Sequence, residues 1–282
     1  MTIYEAILFG KNILSGAKPP GIINHYQKTV FILCHIMEMT HSELLLSNSI
    51  LTNSQINNYT KILKGYANGA PLQYLLGKWS FYGLDLYTDP RGLIPRPETE
   101  ILVEEAINYI AGRKDLIVLD ICAGSGCIGL AVAHCTACHV YLSDISREAL
   151  TLAKKNASLL GLDKKIMYFE SDLFNTLPKG DKFDIIIANP PYIESKEIAN
   201  LSPRIKDYEP IIALDGGEGG LDLYSRLIPE ATDYLKPKGI LMLEVGPADG
   251  VLALMKKTRY TNIHTISDYS GNIRVVIGEA DA

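Results

Sequence analysis

The stretch Asp120-Ile-Cys-Ala-Gly-Ser-Gly-Cys-Ile-Gly129 decides the fold. It follows the apolar segment Leu116–Ile121, which predicts a strand, and it opens a predicted helix. Gly124 and Gly126 allow the backbone to turn tightly and to approach a ligand closely, because neither carries a Cβ. The amides at the start of the helix then face that ligand. A glycine loop between a strand and a helix predicts a nucleoside site at the end of a parallel sheet.

Asp144 strengthens this interpretation without deciding which nucleoside binds. It stands at the end of the next predicted strand, 20 residues after Gly124, where a carboxylate can accept hydrogen bonds from both hydroxyls of a ribose. Gly124, Gly126 and Gly129 also satisfy the G-x-G-x-x-G pattern of nicotinamide enzymes. Asp120, four residues before Gly124, resembles the acidic residue that precedes the glycine loop of S-adenosylmethionine (SAM) methyltransferases.

Outward from the loop, strands and helices alternate over residues 96–282. Five apolar strands are predicted, and a closing pair of strands is predicted at His264–Ser267 and Arg274–Gly278. The five are Leu116–Ile121, Val140–Ser143, Ile166–Phe169, Phe183–Ala188 and Ile240–Glu244. This alternation predicts an α/β fold, a doubly wound, Rossmann-like sheet with its ligand at the carboxyl ends of the strands.

Residues 1–78 have a different pattern and predict a small helical bundle. Ala6, Ile7, Phe9 and Ile13 begin an apolar series with helical spacing. Residues 79–95 predict a β-hairpin that links the two domains. We expect a strand over residues 79–87, a turn over 88–92 and a short returning strand at 93–94.

Asn189-Pro-Pro-Tyr192 directly follows the predicted strand Phe183–Ala188. Two prolines fix φ and remove two N–H donors, so the segment is stiff and its carbonyls are free to accept hydrogen bonds. Asn189 adds a side-chain carbonyl, and Tyr192 adds a flat ring. The tetrad therefore predicts a site that holds a planar NH₂ group. The alternative is a simple turn, since Asn-Pro often begins one.

These motifs give the chain a resemblance to SAM-dependent amino-methyltransferases that carry an (Asn/Asp)-Pro-Pro-(Tyr/Phe) motif. Within them it is similar to the peptide-chain release factor glutamine methyltransferases, the PrmC/HemK family. The resemblance extends over nearly the whole chain. It rests on Pro71-Leu-Gln-Tyr74, Leu93-Ile-Pro-Arg-Pro-Glu-Thr-Glu100, Asp120 to Gly126, Asp144-Ile-Ser146, Ser171-Asp-Leu173, Asn189 to Tyr192, Tyr208-Glu-Pro210 and Ala213-Leu-Asp-Gly-Gly217.

The resemblance implies SAM as methyl donor, release factors as protein substrates, and a role for each motif. Asp144 would hold the ribose, and Asp172 and Leu173 would border the adenine. Asn189 would serve both the cofactor site and the substrate site. The residues implied around the methionine end of SAM are Cys122, Ala123, Gly124, Ser125 and Gly126. The residues implied at the substrate glutamine are Asn189, Pro190, Pro191 and Tyr192, with Asn189, Pro190 and Tyr192 as the catalytic group.

Four positions depart from the family pattern. Cys122-Ala123 stands where Gly-Thr is usual, Gly219 where Asp is frequent, and Asp249 where Gln is common. The role of the usual acid is not transferred to Gly219, and at Ala123 a hydroxyl contact is lost. Glu98, Thr99 and Glu100 have two open interpretations. They orient the methionine end of SAM or the substrate, or they are acids favoured by the dipole of the following helix.

Charge and composition bear on the remaining alternatives. The chain has 27 Lys and Arg against 32 Asp and Glu, a net charge of −5, which disfavours a nucleic-acid substrate. Residues 1–85 carry six basic and four acidic residues and are a candidate docking surface. A DNA or RNA base methyltransferase, a methyltransferase of another protein glutamine (in a ribosomal protein, for example) and a nicotinamide oxidoreductase remain as alternatives.

The sequence shows no signal peptide and no apolar run of membrane-spanning length, so we expect a cytoplasmic protein without a membrane partner. We also expect a monomer. The segment His134-Cys-Thr-Ala-Cys-His139 resembles a zinc knuckle. Its four ligand-type residues crowd one short connection, however, so no metal is expected.

Overall fold

A computed structural model describes residues 1–16, 24–180, 182–258 and 260–281. The chain divides into two compact units. The smaller contains Met1–Lys78 and Pro203–Tyr208, and the larger contains Trp79–Ser202 and Glu209–Ala282. No helix within these described ranges is long and apolar enough to span a membrane.

The α-helices are α1 (Ile3–Ser15), α2 (His25–Met37), α3 (His41–Leu46), α4 (Asn53–Ala67), α5 (Leu72–Leu76), α6 (Thr99–Ile110), α7 (Cys127–Cys135), α8 (Arg147–Leu159), α9 (Pro203–Lys206), α10 (Asp222–Ala231) and α11 (Ala248–Lys257). The strands are β1 (Lys78–Phe81), β2 (Leu84–Tyr87), β3 (Ile117–Ile121), β4 (His139–Asp144), β5 (Ile166–Glu170), β6 (Phe183–Ala188), β7 (Leu235–Glu244), β8 (Tyr260–Ser267) and β9 (Ile273–Ala280).

The smaller unit is helical and is stabilised by buried apolar residues and by helix caps. Thr2, Thr40 and Thr52 each cap a helix through a reciprocal capping box, which satisfies two otherwise unpaired backbone groups. Tyr59 is fully buried, and its hydroxyl donates to the carbonyl of Ala6 at 2.9 Å. Arg204, from the later segment, donates to the carbonyls of Tyr66 and Ala70 at 3.1 Å each. This pairing caps the carboxyl end of α4.

The larger unit is built on a seven-stranded sheet of order β5-β4-β3-β6-β7-β9-β8. The first five strands are parallel, and β9 runs antiparallel to both β7 and β8. One face of the sheet buries the apolar sides of α6, α7 and α8, and the other buries those of α10 and α11. The predicted Rossmann-like α/β fold with an N-terminal helical region is confirmed.

A hairpin and the predicted turn are both present, but the turn at Pro90–Arg91 joins no strands, and the returning strand predicted at 93–94 is wrong. The hairpin turn lies instead within the predicted strand 79–87. β1 and β2 form a two-stranded sheet and are joined by a turn at Tyr82 and Gly83, whose φ angles are 49° and 74°. Residues 93–94 lie outside any strand. Two successive positive φ angles match the right-handed twist of a two-residue hairpin. Tyrosine rarely occupies the first of these positions, which hid the turn. The hairpin buries Phe81, Leu84 and Leu86 in the core of the larger unit. The division into functional domains at 1–78, 79–95 and 96–282 stays a prediction.

Candidate active site

The carboxyl ends of β3, β4 and β6 meet at one edge of the sheet, because Ile121 is paired with Ser143 on one side and with Ala188 on the other. A cavity of about 690 Å³ lies at this edge. Seven of the residues predicted for the site line it: Cys122, Gly124, Asp144, Asp172, Leu173, Asn189 and Pro191. The fold therefore brings the predicted cofactor and substrate motifs to a single cavity.

The other predicted residues are not part of the cavity lining. Ala123, Ser125 and Pro190 are buried, and Tyr192 is half-buried. The amide of Ala123 donates to the carbonyl of Ser143 at 3.1 Å. The carbonyl of Ser125 accepts from the fully buried side chain of Asn156 at 3.0 Å. In the structure Ala123 and Ser125 hold the glycine loop in place. Gly126 likewise forms no part of the cavity lining and caps α7 in a left-handed conformation.

The glycine loop turns through three residues with positive φ: Cys122 at 60°, Gly124 at 56° and Gly126 at 79°. The left-handed region costs glycine little but costs other residues about 1 kcal/mol or more. This explains in physical terms why glycine is usual where this chain has Cys122. Cys122 therefore adopts this conformation at a cost to the stability of the loop.

Asp144 is fixed by two backbone amides of the site. Its Oδ2 accepts from the amide of Gly124 and its Oδ1 from that of Ser146, each at 2.8 Å. Burial raises the pKa of Asp144, while these two hydrogen bonds favour the charged form and limit the rise. A carboxylate has about four acceptor positions, so each oxygen retains capacity for a ligand hydroxyl. The arrangement suits a ribose diol.

Asp120 does not reach the cavity. It is completely buried, its Oδ2 accepts from the amide of Gly129 at 2.8 Å, and its Oδ1 has no hydrogen-bond partner among the described residues. Burial raises the pKa of Asp120 to about 8. At neutral pH it is therefore mostly a neutral acid that joins the end of β3 to the first turn of α7.

This burial makes the stability of the protein depend on pH. The unfolded chain releases the Asp120 proton near pH 4, whereas the folded chain keeps it to about pH 8, so the free energy of unfolding falls as pH rises between about 4 and 8. Asp120→Asn keeps an acceptor for Gly129 and cannot ionise. We expect the variant to gain stability over the wild type, and to gain more at pH 8 than at pH 5, in urea unfolding. The same difference at both pH values would contradict the assignment.

The Asn189-Pro190-Pro191-Tyr192 tetrad begins directly after β6, at the rim of the cavity. Nδ2 of Asn189 points towards the hydroxyl of Thr99, at 3.4 Å, and Oδ1 has no hydrogen-bond partner among the described residues. The tyrosine packs tightly: a Cβ on Gly216 would lie 2.6 Å from Cα of Tyr192, and one on Gly246 would lie 2.5 Å from its ring. Glycine at these positions allows the neighbouring loops to approach the tetrad.

Two charged residues of the site, Glu244 and Arg226, were missed in the sequence. Glu244 ends β7 beside the tetrad and is only 3% exposed. Burial raises the pKa of Glu244 to about 7. Arg226, on α10, pairs with Asp172 at 2.8 Å and holds that carboxylate at the cavity wall. The position of Glu244 at the end of a predicted strand was a usable signal, whereas nothing local pairs Arg226 with Asp172.

The lining of the cavity fits SAM, which carries a sulfonium and an ammonium group. Among the described residues that line the cavity, four are acidic and two are basic: Asp144, Asp172, Asp215 and Asp222 against Arg91 and Arg226. A negative cavity attracts a cationic ligand. Within the described ranges no three His, Cys, Asp or Glu side chains are grouped to hold a metal. In the knuckle-like segment Cys135 is exposed and Cys138 buried.

A Rossmann-like sheet with a glycine loop after β3, an acid after β4 and Asn-Pro-Pro-Tyr after β6 defines the class of SAM-dependent methyltransferases. Comparison with known families agrees: residues 98–205 match the methyltransferase small domain, and residues 18–77 match the PrmC N-terminal domain. The chain belongs to the release factor glutamine methyltransferase family.

Individual relatives support this membership. The release factor glutamine methyltransferase of Clostridium acetobutylicum is 41% identical over 98% of both chains. That of Bacillus cereus is 34% identical over the full length of both. Among solved structures, a methyltransferase from Pyrococcus furiosus has a TM-score of 0.55 and 19% identity, and the match covers 80% of this chain and 99% of that one. This last likeness shows the fold alone.

Proposed function

We propose that this protein transfers a methyl group from SAM to the side-chain amide nitrogen of the glutamine in the Gly-Gly-Gln motif of peptide-chain release factors. The observation that carries the proposal is the position of Asn189, at the rim of the cavity that also contains Asp144. The names of the relatives support release factors as the substrate. The protein acts in the cytoplasm as a monomer, without a nucleic-acid partner.

The residues of the larger unit divide between cofactor and substrate. Cys122 and Gly124 face the methionine end of SAM, and Ala123, Ser125 and Gly126 support the loop around it. Asp144 accepts from the ribose hydroxyls, and Asp172 and Leu173 border the adenine. When bound, SAM supplies an electrophilic methyl group on a sulfonium centre. The negative wall of the cavity favours that charge.

A carboxamide nitrogen is a poor nucleophile because its lone pair is delocalised into the carbonyl group. Asn189 Oδ1 and the carbonyl of Pro190 accept the two N–H bonds of the substrate amide and direct its lone pair towards the methyl group. Alignment of this kind supplies about 7–11 kcal/mol of a barrier. Both acceptors interact more strongly as positive charge develops on nitrogen, so they stabilise the transition state more than the ground state. Transfer would convert SAM to S-adenosylhomocysteine as the leaving group, and the proton then leaves the substrate nitrogen to water.

The position of Tyr192 is compatible with a supporting role for its ring. Packing against Gly246 fixes the ring, and its burial raises the pKa of the phenol, so the group stays neutral at physiological pH. We assign Tyr192 to the substrate site as the flat surface beside the amide plane.

The substrate is tested with radiolabelled SAM and four acceptors: a purified release factor, its Gly-Gly-Gln→Gly-Gly-Ala variant, ribosomal proteins and a DNA oligonucleotide. We expect label in the release factor and none in the variant, because only the glutamine offers a side-chain amide at that position. Label that persists in the variant, or that appears only in DNA or in ribosomal proteins, would contradict the proposal.

A further inference from the structure

Glu244 is a buried acid that the reaction described above does not use. β6 and β7 are parallel neighbours in which Ala188 is paired with Leu243, so the next residues, Asn189 and Glu244, leave the sheet side by side. Glu244 is 3% exposed, and its Oε2 has no hydrogen-bond partner among the residues that the structure describes. A buried carboxylate oxygen without a partner is costly, which makes a functional reason for it worth seeking.

Two polar side chains connect Glu244 to the substrate site. Thr99 is 2% exposed, and its hydroxyl accepts a hydrogen bond from Nδ2 of Asn189 at 3.4 Å. Burial raises the pKa of Glu244, whereas the neighbouring Thr99 hydroxyl and Asn189 amide favour its charged form and lower that pKa. A hydroxyl can accept one hydrogen bond and donate another. Thr99 can therefore accept a hydrogen bond from Asn189 and donate one to Glu244, so that the charge state of Glu244 affects the orientation of the Asn189 amide.

Charged and titratable groups from several elements face this carboxylate. Arg274, on β9, favours its charged form, and Glu98, directly before α6, opposes it. The phenols of Tyr192 and Tyr224 and the thiol of Cys127 lie in its field and are held neutral. Burial raises the pKa of Glu244 to about 7, so its charge changes near physiological pH.

The orientation of the Asn189 amide depends on what lies behind it. A carboxylate accepts only, so it holds Nδ2 on its own side and leaves Oδ1 towards the cavity. A protonated carboxyl group is also a donor, and it permits the opposite orientation, in which Nδ2 faces the substrate. Two facing NH₂ groups cannot form the required hydrogen bond. One protonation state of Glu244 therefore selects the productive orientation.

We propose that Glu244 is a positioning residue of the amide site, which, together with Thr99, orients Asn189 so that its Oδ1 accepts from the substrate glutamine. The inference rests on the proposed function, since it assigns the acceptor that the methylated amide needs. Glu244 itself does not line the cavity and acts through Asn189. Because the productive state is the ionised one, transfer rises as pH increases through about 7.

The test measures kcat for release factor methylation at saturating SAM, from about one pH unit below to about one above 7. For the wild type we expect a rise of about tenfold over this range. Glu244→Gln keeps an acceptor but cannot ionise. We expect a flat profile and a kcat about 10- to 100-fold lower at high pH, since a misplaced group costs up to about that factor. The KM for SAM should stay near that of the wild type.

Two charge variants should shift the midpoint of the pH profile in opposite directions. A merely structural role of Glu244 would not produce such shifts. Arg274→Gln removes a positive charge and should move the midpoint to higher pH, whereas Glu98→Gln removes a negative charge and should move it to lower pH. A wild-type profile in Glu244→Gln, or midpoints that do not move in opposite directions, would overturn the inference. If the wild type fails to methylate the release factor at any pH, it is the proposed function that fails.

Discussion

Asn189→Ala is expected to reduce methyl transfer by about 10²- to 10³-fold and to leave SAM binding almost unchanged. One preorganised hydrogen-bonding group at the reacting atoms is worth about this factor in other enzymes. The alanine removes Oδ1, the free acceptor at the rim of the cavity, whereas Asp144 and the glycine loop stay in place. Single-turnover methylation of the release factor measures the transfer, and calorimetric titration with SAM measures the binding.

Asn189→Asp serves as the matched variant. It keeps an acceptor of the same size but places a second carboxyl group beside Glu244 and removes the donor to Thr99. We expect a smaller loss than in Asn189→Ala. Turnover near the wild-type rate in the alanine variant would exclude the proposed mechanism. A large drop in melting temperature would show instead that the substitution disturbs the fold, so both variants need a thermal unfolding measurement.

The parts of the site that follow from local sequence were predictable. Gly124 and Gly126 stand between an apolar strand and a helix, and Asn189 follows an apolar strand, so parallel topology alone brings them to one edge of the sheet. The prediction of the seven-stranded core depended on the alternation of apolar strands and amphipathic helices along the chain. Such patterns are local, and each strand carries its own signal.

The missed features depend on contacts between distant segments. Only the pairing of β6 with β7 places Glu244 beside Asn189. Arg226 reaches Asp172 from a helix 54 residues away in sequence. The true hairpin turn was hidden because Tyr82 adopts a positive φ that its residue type disfavours. Sequence periodicity reports which face of an element is buried. It does not report which polar groups meet across the buried interface.

Asp144 should dominate the affinity for SAM, as Asn189 dominates the transfer. Asp144 lies at the end of β4, and both oxygens of its carboxylate accept hydrogen bonds from backbone amides, those of Gly124 and Ser146. A hydrogen bond to a charged group contributes about 1.5–3 kcal/mol, and a ribose diol forms two. Asp144→Ala loses both and also releases the two amides, so the glycine loop becomes less ordered when the site is empty.

We therefore expect Asp144→Ala to raise the Kd for SAM by about 10²-fold or more, and Asp144→Asn to raise it by about tenfold, because the amide keeps one acceptor but no charge. At saturating SAM, kcat should recover much of its wild-type value, since Asp144 lies away from the tetrad. Calorimetric titration and a KM–kcat comparison check this. An unchanged Kd with a collapsed kcat would place Asp144 at the chemistry and not at the ribose, and tighter binding of a nicotinamide cofactor than of SAM would reassign the loop.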